Sequence, residues 1–157
     1  MSVLKKGGVS MLEKDINEML KQAMKSGDKV KLSVLRMLLS EVKNKRIADL
    51  VKELDEKIII SLIQKMVRQR KESIEQFKNG NRMDLVQKEE EELKILESWL
   101  PEQLSIQELE TIISDAVKST GATSIKDMGK VMGATLDKVK GRMDGKVVSE
   151  MVRKKLG

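Results

Sequence analysis

The sequence predicts an all-α fold, with an N-terminal four-helix bundle-like domain followed by a C-terminal three-helix domain. Apolar residues recur at spacings of three and four along most of the chain, and no segment alternates with a period of two. The single proline, Pro101, leaves room for long helices on either side of it. Helix-capping residues precede apolar stripes both before and after that proline. We therefore expect helices throughout and no strand.

The first two predicted helices are bounded by capping residues. Ser10 with Glu13 matches a capping box that opens the first helix, and Gly27 ends it. Asp28 caps the second helix. The segment after that helix, residues 47–54, fits either a continued helix or a loop.

The third and fourth predicted helices form a hairpin. Asp55 caps a long third helix over residues 56–79, and Gly80 is expected at its C′ position. The fourth helix covers about residues 82–98. Both helices carry an apolar stripe, so we expect them to pack against each other and the first two helices.

One ion pair is predicted inside this hairpin. Arg70 lies ten residues before Gly80, and Glu89 and Glu90 lie nine and ten residues after it, so antiparallel packing brings them to one level. Because Arg70 falls within the apolar stripe of its helix, it needs a partner when buried. We expect Arg70 to pair with Glu89 or Glu90, and the rest of the acidic run Glu89–Glu92 to face solvent.

The helical pattern breaks at Pro101, where we place a domain boundary. The predicted parts are a flexible N-terminal extension (residues 1–9), a helical domain of about four helices (10–101) and a three-helix tail domain (102–157). Trp99, beside the boundary, is expected to pack at this junction and not to stack on nucleic-acid bases.

Three short helices are predicted in the tail domain, each opened by a polar cap. Ser105 with Glu108 and Ser124 with Asp127 match capping boxes for the fifth and sixth helices. Asp144 caps the seventh and last helix.

Composition excludes several kinds of site. The chain contains no cysteine and no histidine, which removes thiolate nucleophiles, cysteine metal sites and the usual general base. Acid–base catalysis by carboxylates remains possible, but no pair of them stands out in the sequence. We predict no catalytic residue, no metal site and no cofactor. No apolar run is long enough to cross a membrane, and the N-terminus does not resemble a secretory signal. These features predict a cytoplasmic protein with no membrane partner.

Basic residues and glycines concentrate in one C-terminal segment, Lys126–Lys146. The chain has a formal charge of +6, and residues 124–157 hold nine basic and four acidic side chains. The candidate RNA-binding residues are the six cations and four glycines of the segment: Lys126, Lys130, Lys138, Lys140, Arg142, Lys146, Gly129, Gly133, Gly141 and Gly145. Glycine in a helix is costly, so these glycines indicate either close packing between helices or a backbone that lies against a phosphate.

Four stretches of the sequence resemble the GatB/YqeY family. They are LSVLRML (32–38), RQRKESIEQF (68–77), KEEEELKILESWLPEQL (88–104) and KDMGKVMGATLDKVKGRMDGKVV (126–148). The resemblance covers residues 10–156. It implies that the C-terminal part is similar to the tail domain of the B subunit of glutamyl/aspartyl-tRNA amidotransferase, which grips the outer elbow of tRNA. It also associates the chain with carbon–nitrogen ligase activity with glutamine as amido-N-donor.

The resemblance implies binding more directly than catalysis. These residues include nothing that resembles the ATP-binding cradle of the B subunit or the amidase subunit, so we expect no enzyme activity from this chain alone. Our preferred hypothesis is a tRNA-binding accessory module that contacts backbone and shape, with the six cations on phosphates and the four glycines permitting close approach. The alternatives are a protein–protein adaptor, or an accessory subunit of a tRNA-dependent amidotransferase or aminoacyl-tRNA synthetase.

Overall fold

A computed structural model describes residues 4–5, 8–9 and 11–157 of the chain. Its only strands in these described ranges are β1, Leu4–Lys5, and β2, Gly8–Val9, which pair in antiparallel fashion. The prediction of no strand is wrong for this pair, because two residues are too few to show an alternating pattern. The flexibility of residues 1–9 stays a prediction, since residues 1–3, 6 and 7 lie outside the described part.

Helices make up almost all the rest of the described chain. They are α1 Glu13–Ser26, α2 Lys29–Asp49, α3 Glu56–Asn79, α4 Met83–Ser98, α5 Ile106–Thr120, α6 Met128–Val139 and α7 Gly145–Leu156. A 3₁₀ turn, Ile125–Asp127, leads into α6. The chain divides into two compact units, Met1–Pro101 and Glu102–Gly157. The predicted all-α fold, with four helices followed by three, is confirmed.

Helix α1 begins later than predicted. Its N-cap residue is Leu12, which provides no side-chain cap, and Ser10 lies outside the described residues. Met11 is fully buried, and its N–H donates a hydrogen bond to Glu56 Oε1 at 3.1 Å. A contact with the first residue of α3 therefore holds the chain before α1. The predicted capping box of Ser10 and Glu13 stays a prediction, because Ser10 lies outside the described residues.

The next two helices start where their caps predict. The Asp28 carboxylate accepts from the N–H of Lys31 at the start of α2, and Asp55 accepts from Ile58 at the start of α3. Helix α2 continues to Asp49, so the ambiguous segment is helical only in its first part.

The end of α3 differs from the prediction by one residue. Gly80 has φ −90°, and the left-handed conformation belongs to Asn81, with φ 57°. The N–H of Asn81 donates to Lys78 O at 3.1 Å, and the N–H of Arg82 donates to Phe77 O at 2.9 Å. These two bonds form a Schellman motif with asparagine at C′, a residue that tolerates the left-handed conformation nearly as glycine does.

A single apolar core fills the N-terminal unit. Its fully buried members come from all four helices and the segment before α1: Met11, Ile16, Val34, Leu35, Leu38, Val42, Ile59, Ile63 and Leu96. Trp99 belongs to the same core and is 3% exposed. Its indole is therefore not available as a stacking surface for bases.

The predicted ion pair of the α3–α4 hairpin is confirmed, and a second carboxylate, that of Glu92, also takes part in it. Arg70 Nε lies 3.3 Å from Glu89 Oε2 and 2.8 Å from Glu92 Oε2. The side chains of Arg70 and Glu92 are only 11% and 7% exposed. The expectation that the remaining acidic run faces solvent is therefore wrong for Glu92, which lies one helical turn from Glu89 on the same side of α4.

Polar caps position the helices of the C-terminal unit as predicted. Ser105 Oγ accepts from the N–H of Glu108, and Asp144 accepts from the N–H of Lys146. The capping box of Ser124 and Asp127 is present and opens the 3₁₀ turn that leads into α6.

The core of the C-terminal unit is small and draws on all three helices. Its buried members include Leu104, Leu109, Ile113, Val131, Val139, Val148 and Val152. The N–H of Leu104 donates to Arg142 O at 2.8 Å, which ties the segment before α5 to the turn between α6 and α7.

The buried ion pair generates a stability prediction. Arg70→Ala leaves the carboxylates of Glu89 and Glu92 without their cation, and we expect the free energy of unfolding to fall by about 3–5 kcal/mol. Urea titration followed by the fluorescence of Trp99, the chain's single tryptophan, reports on this unit. Glu90→Ala is the control, because Glu90 is exposed and lies 3.9 Å from an exposed Lys78. It should change stability by less than about 0.5 kcal/mol, and equal effects of the two variants would contradict the prediction.

The division into two units generates a prediction about fragments. Because residues 102–157 have their own caps and core, we expect this fragment alone to keep a helical circular dichroism spectrum. Its thermal transition should be broad and low, since a domain of this size buries a smaller fraction of its surface on folding than a larger domain does. A coil-like spectrum under native conditions would show that the fragment needs the N-terminal unit to fold.

Candidate nucleic-acid interface

The segment Lys126–Lys146 runs through the 3₁₀ turn, α6, the following turn and the start of α7. Five of its six cations have exposed side chains: Lys126, Lys130, Lys138, Lys140 and Lys146. Arg142 is partly buried. The structure thus brings five of the predicted phosphate contacts to the surface of the C-terminal unit and gives the sixth a different environment.

A hydrogen-bonded acid holds the start of the segment. The N–H groups of Thr123 and Ser124 donate to Asp127 Oδ2 at 2.9 and 3.3 Å. These two bonds, with a smaller effect from the Lys130 charge, lower the pKa of Asp127 below its ordinary value. Asp127 is therefore ionised at neutral pH and fixed to the loop that precedes α6. Lys126, whose N–H donates to Ser124 Oγ, is held in the same turn.

The two glycines within α6 have no packing role inside the described chain. Gly129 and Gly133 are exposed, and a Cβ atom added at either would meet no heavy atom within 4 Å. They are four residues apart and so lie on one side of the helix. Each costs the helix roughly 0.5–1 kcal/mol relative to alanine. Close packing between helices of this chain does not account for them.

The exposed side of α6 also carries acidic and apolar groups. Asp137 is exposed and lies one helical turn beyond Gly133. Leu136, next to it, is 44% exposed. A ligand that approached the two glycines would therefore meet a surface of mixed chemistry, with cations before and after it along the helix.

Helix α6 ends in a tight reverse turn with two positive φ angles. Lys140 has φ 48° and Gly141 has φ 77°, and the N–H of Arg142 donates to Val139 O at 3.0 Å. Positive φ at both central residues matches a mirror-image β-turn. Glycine suits this conformation, whereas a residue with a Cβ atom loses roughly 1–2 kcal/mol in it. Gly141 is thus required by the turn, and Lys140 occupies a strained position beside it.

Arg142 folds back onto the helix that it follows. Its Nε donates to Val139 O at 3.1 Å, and its Nη2 donates to Lys138 O at 3.0 Å. Both acceptors are among the last carbonyls of α6, which have no partner inside the helix. The guanidinium is therefore a cap on α6 as well as a charge.

The start of α7 completes the segment. Gly145 is the first residue of the helix, after its cap Asp144, and a Cβ atom there would also meet no heavy atom within 4 Å. Lys146 follows with an exposed side chain.

The candidate residues taken from the Lys126–Lys146 motif do not include the basic end of α7. Arg153, Lys154 and Lys155 are exposed and lie in the last turn of the helix. Lys154 and Lys155 line an open groove of about 320 Å³ between α5 and α7, together with Ile113 and Met151. The local charge of the last turn was the available signal for these residues.

The described residues of the segment offer basic side chains and no metal-binding cluster. Among them, no group of three acidic, histidine or cysteine side chains could hold a metal ion. None of the described helices combines the length and apolarity that crossing a membrane requires. Exposed ammonium groups on a helical surface can attract phosphates by charge.

Curated fungal proteins are similar to this chain. Altered inheritance of mitochondria protein 41, mitochondrial, from Lachancea thermotolerans is 44% identical over 92 residues, which are 59% of this chain and 47% of that protein. The protein of the same name from Vanderwaltozyma polyspora is 35% identical over 127 residues, 76% of this chain and 68% of the relative. The one from Saccharomyces cerevisiae strain YJM789 is 33% identical over 130 residues, 80% and 68% respectively. In the Lachancea match, the chain spans about half the length of its relative.

The names of these relatives correct one expectation. Each of the three is named a mitochondrial protein, which contradicts the cytoplasmic location expected from composition. The absence of cysteine and of a secretory signal concerns redox environment and export. Neither feature distinguishes one intracellular compartment from another.

The family model described as Yqey-like protein matches residues 13–156 of the chain. This match covers α1 to α7 and nearly the whole described part, including both units. The predicted family is therefore confirmed: the chain belongs to the YqeY-like protein family.

Proposed function

We propose that this protein is a tRNA-binding accessory module, whose C-terminal unit holds the phosphate backbone against the segment Lys126–Lys146. The observation that supports this most directly is the exposure of Gly129 and Gly133 among exposed lysines, with open space where a Cβ atom of either residue would lie. A backbone without side chains lets a sugar–phosphate chain approach closely, and the lysines supply its counter-charge. The similarity of the segment to the amidotransferase B-subunit tail supports tRNA as the RNA.

The proposed mode of recognition is contact with backbone and shape. Contacts to phosphates supply affinity and orientation but carry no sequence information, and folded RNA is recognised largely by shape. Recognition of splayed bases would need exposed aromatic side chains. The only tryptophan, Trp99, is buried in the N-terminal unit, and the chain has no tyrosine.

Amide transfer, in this proposal, belongs to a partner enzyme. The candidate partners are a tRNA-dependent amidotransferase, with glutamine as amido-N-donor, and an aminoacyl-tRNA synthetase. The module would present or retain tRNA for that enzyme.

Exposed hydrophobic side chains favour a second candidate function, a protein–protein adaptor. Leu136 and Ile125 are 44% and 46% exposed, and Leu136 lies three residues beyond Gly133. Small residues beside an exposed leucine would also let a partner helix pack closely against α6. Binding to a protein through this surface should depend weakly on salt, whereas binding through phosphates should depend on it steeply.

The charge contribution can be tested with a pair of lysines. Lys138→Ala combined with Lys140→Ala should weaken binding of bulk tRNA at low salt, because two exposed cations leave the proposed site. The slope of the logarithm of the binding constant against the logarithm of salt concentration should fall by slightly less than one unit per lost contact. Fluorescence anisotropy over a range of salt concentrations measures both quantities.

A matched pair on α1 controls for the change in net charge. Lys21→Ala with Lys25→Ala also removes two exposed lysines, but from the N-terminal unit. This variant should keep the wild-type affinity and slope. Wild-type protein that fails to bind tRNA at low salt, or two double variants with the same slope, would overturn the proposal.

The glycine contribution can be tested by a size series at Gly133. Gly133→Ala should raise the melting temperature, since it favours the helix by roughly 0.5–1 kcal/mol and meets no neighbour. Gly133→Leu should also preserve the fold, yet weaken tRNA binding more than Gly133→Ala because the larger side chain keeps the backbone away. Gly141→Val is the contrasting variant. Because Gly141 has a φ of 77°, a branched side chain there should lower the stability of the protein as well as its affinity for tRNA. Unchanged tRNA affinity in Gly133→Leu would show that no ligand approaches α6 there.

A further inference from the structure

The guanidinium of Arg142 is committed to the backbone of its own unit. Two of its five N–H donors reach the carbonyls of Lys138 and Val139, at 3.0 and 3.1 Å. Its main-chain carbonyl accepts from the N–H of Leu104 at 2.8 Å. Arg142 is also partly buried, whereas the five lysines of the segment are exposed. The side chain is thus built into the turn, in contrast to the lysines around it.

The carbonyls that Arg142 covers are unfavourable neighbours for a phosphate. They lie at the C-terminus of α6, where unsatisfied carbonyls carry the negative end of the helix dipole. The exposed lysines 138 and 140 emerge from the same few residues. Without the guanidinium, Lys138 O would lose its side-chain donor and Val139 O would keep only the N–H of Arg142, so the negative end of the helix would be less neutralised beside the two lysines.

The turn also holds Lys140 in a conformation that lysine does not favour. Its φ of 48° lies in the left-handed region, where the Cβ atom of lysine causes strain that glycine would avoid. Such a conformation persists where surrounding contacts fix it. The contacts that close this turn are the N–H of Arg142 on Val139 O and the guanidinium on the two carbonyls.

We propose that Arg142 is a positioning residue of the tRNA site, which acts through Lys138 and Lys140 and is not itself a phosphate contact. This inference rests on the proposed function. Arg142 neutralises the end of α6 and fixes the strained turn, so that the two lysines stay directed toward the ligand. Both a forked donor and a positive charge are needed for this role, which is why lysine cannot replace arginine here.

Arg142→Lys is the variant that separates positioning from direct contact. Lysine keeps the charge, so a phosphate contact would be largely retained, with affinity and salt slope close to those of the wild type. Lysine has no forked guanidinium with which to donate to both carbonyls. A positioning role therefore predicts that Arg142→Lys weakens bulk tRNA binding about tenfold, as the loss of a hydrogen bond from a charged group implies. Arg142→Ala should lose at least as much.

The measurements should use the full chain at a temperature where circular dichroism shows each variant fully folded. Under that condition a merely structural role leaves the affinity unchanged. Amide hydrogen exchange at Lys140, whose N–H donates to Leu136 O at 3.1 Å, gives a readout that does not depend on RNA. Exchange at this amide should be faster in Arg142→Lys than in wild type if the guanidinium fixes the turn.

A double-mutant cycle with Lys140→Ala tests whether Arg142 acts through that lysine. Once Lys140 is removed, Arg142→Lys should lose much less than it does in the wild-type background, because coupled residues give non-additive effects. Additive losses, or wild-type affinity in Arg142→Lys, would overturn the positioning role while leaving tRNA binding intact. A wild-type protein that does not bind tRNA would overturn the proposed function and this inference together.

Discussion

The C-terminal unit depends on how α6 ends. Val139, the last residue of α6, and Val148, in the first turn of α7, are both fully or almost fully buried in one core. The chain must therefore reverse within a few residues, and it does so through positive φ angles at Lys140 and Gly141. Arg142 closes the reversal by satisfying carbonyls that the end of a helix leaves open. The same turn carries Lys140 and follows directly after Lys138, so the fold of this unit and one part of the proposed binding surface depend on the same hydrogen bonds.

The N-terminal unit has a comparable constraint in its buried ion pair. Arg70 meets Glu92 at 2.8 Å and Glu89 at 3.3 Å, in a hairpin that is otherwise packed by aliphatic side chains. An apolar contact tolerates small shifts between helices, whereas a buried arginine loses its partner when α3 slides along α4. We infer that this cluster fixes the register of the two helices more than it adds to net stability, since desolvation offsets much of the attraction in buried pairs.

The sequence predicted helix boundaries where a local interaction determines them. Asp28, Asp55 and Asp144 each cap the predicted helix, because a cap needs only residues within one turn. The prediction was off by one residue at the end of α3, where the left-handed conformation belongs to Asn81 and not to Gly80. The ion-pair prediction for the hairpin compared only the positions of residues along the helix axis. It therefore found Glu89 but missed Glu92, because it did not take rotation about the axis into account. In the candidate interface, charge pattern located the exposed lysines, but only coordinates could show Arg142 folded onto α6.

The glycines of α6 are the strongest argument that this surface has an external partner. A glycine that packed against another helix of the chain would have neighbours within contact distance of a Cβ atom, and Gly129 and Gly133 have none. The free-energy cost of these glycines to the helix is therefore not offset by any contact in the described chain.

An RNA backbone and a partner helix would both explain the two glycines, but the two partners need different surroundings. A partner helix needs apolar area, and α6 offers the exposed Leu136 with the partly buried Met128 and Met132. Lys130, next to Gly129, supplies an exposed cation near the glycines, whereas Lys138, five residues after Gly133, lies well around the helix axis from them. In our proposal the partner is a polyanion, and Asp137, one turn beyond Gly133 on the same side, disfavours phosphates at the last turn of the helix.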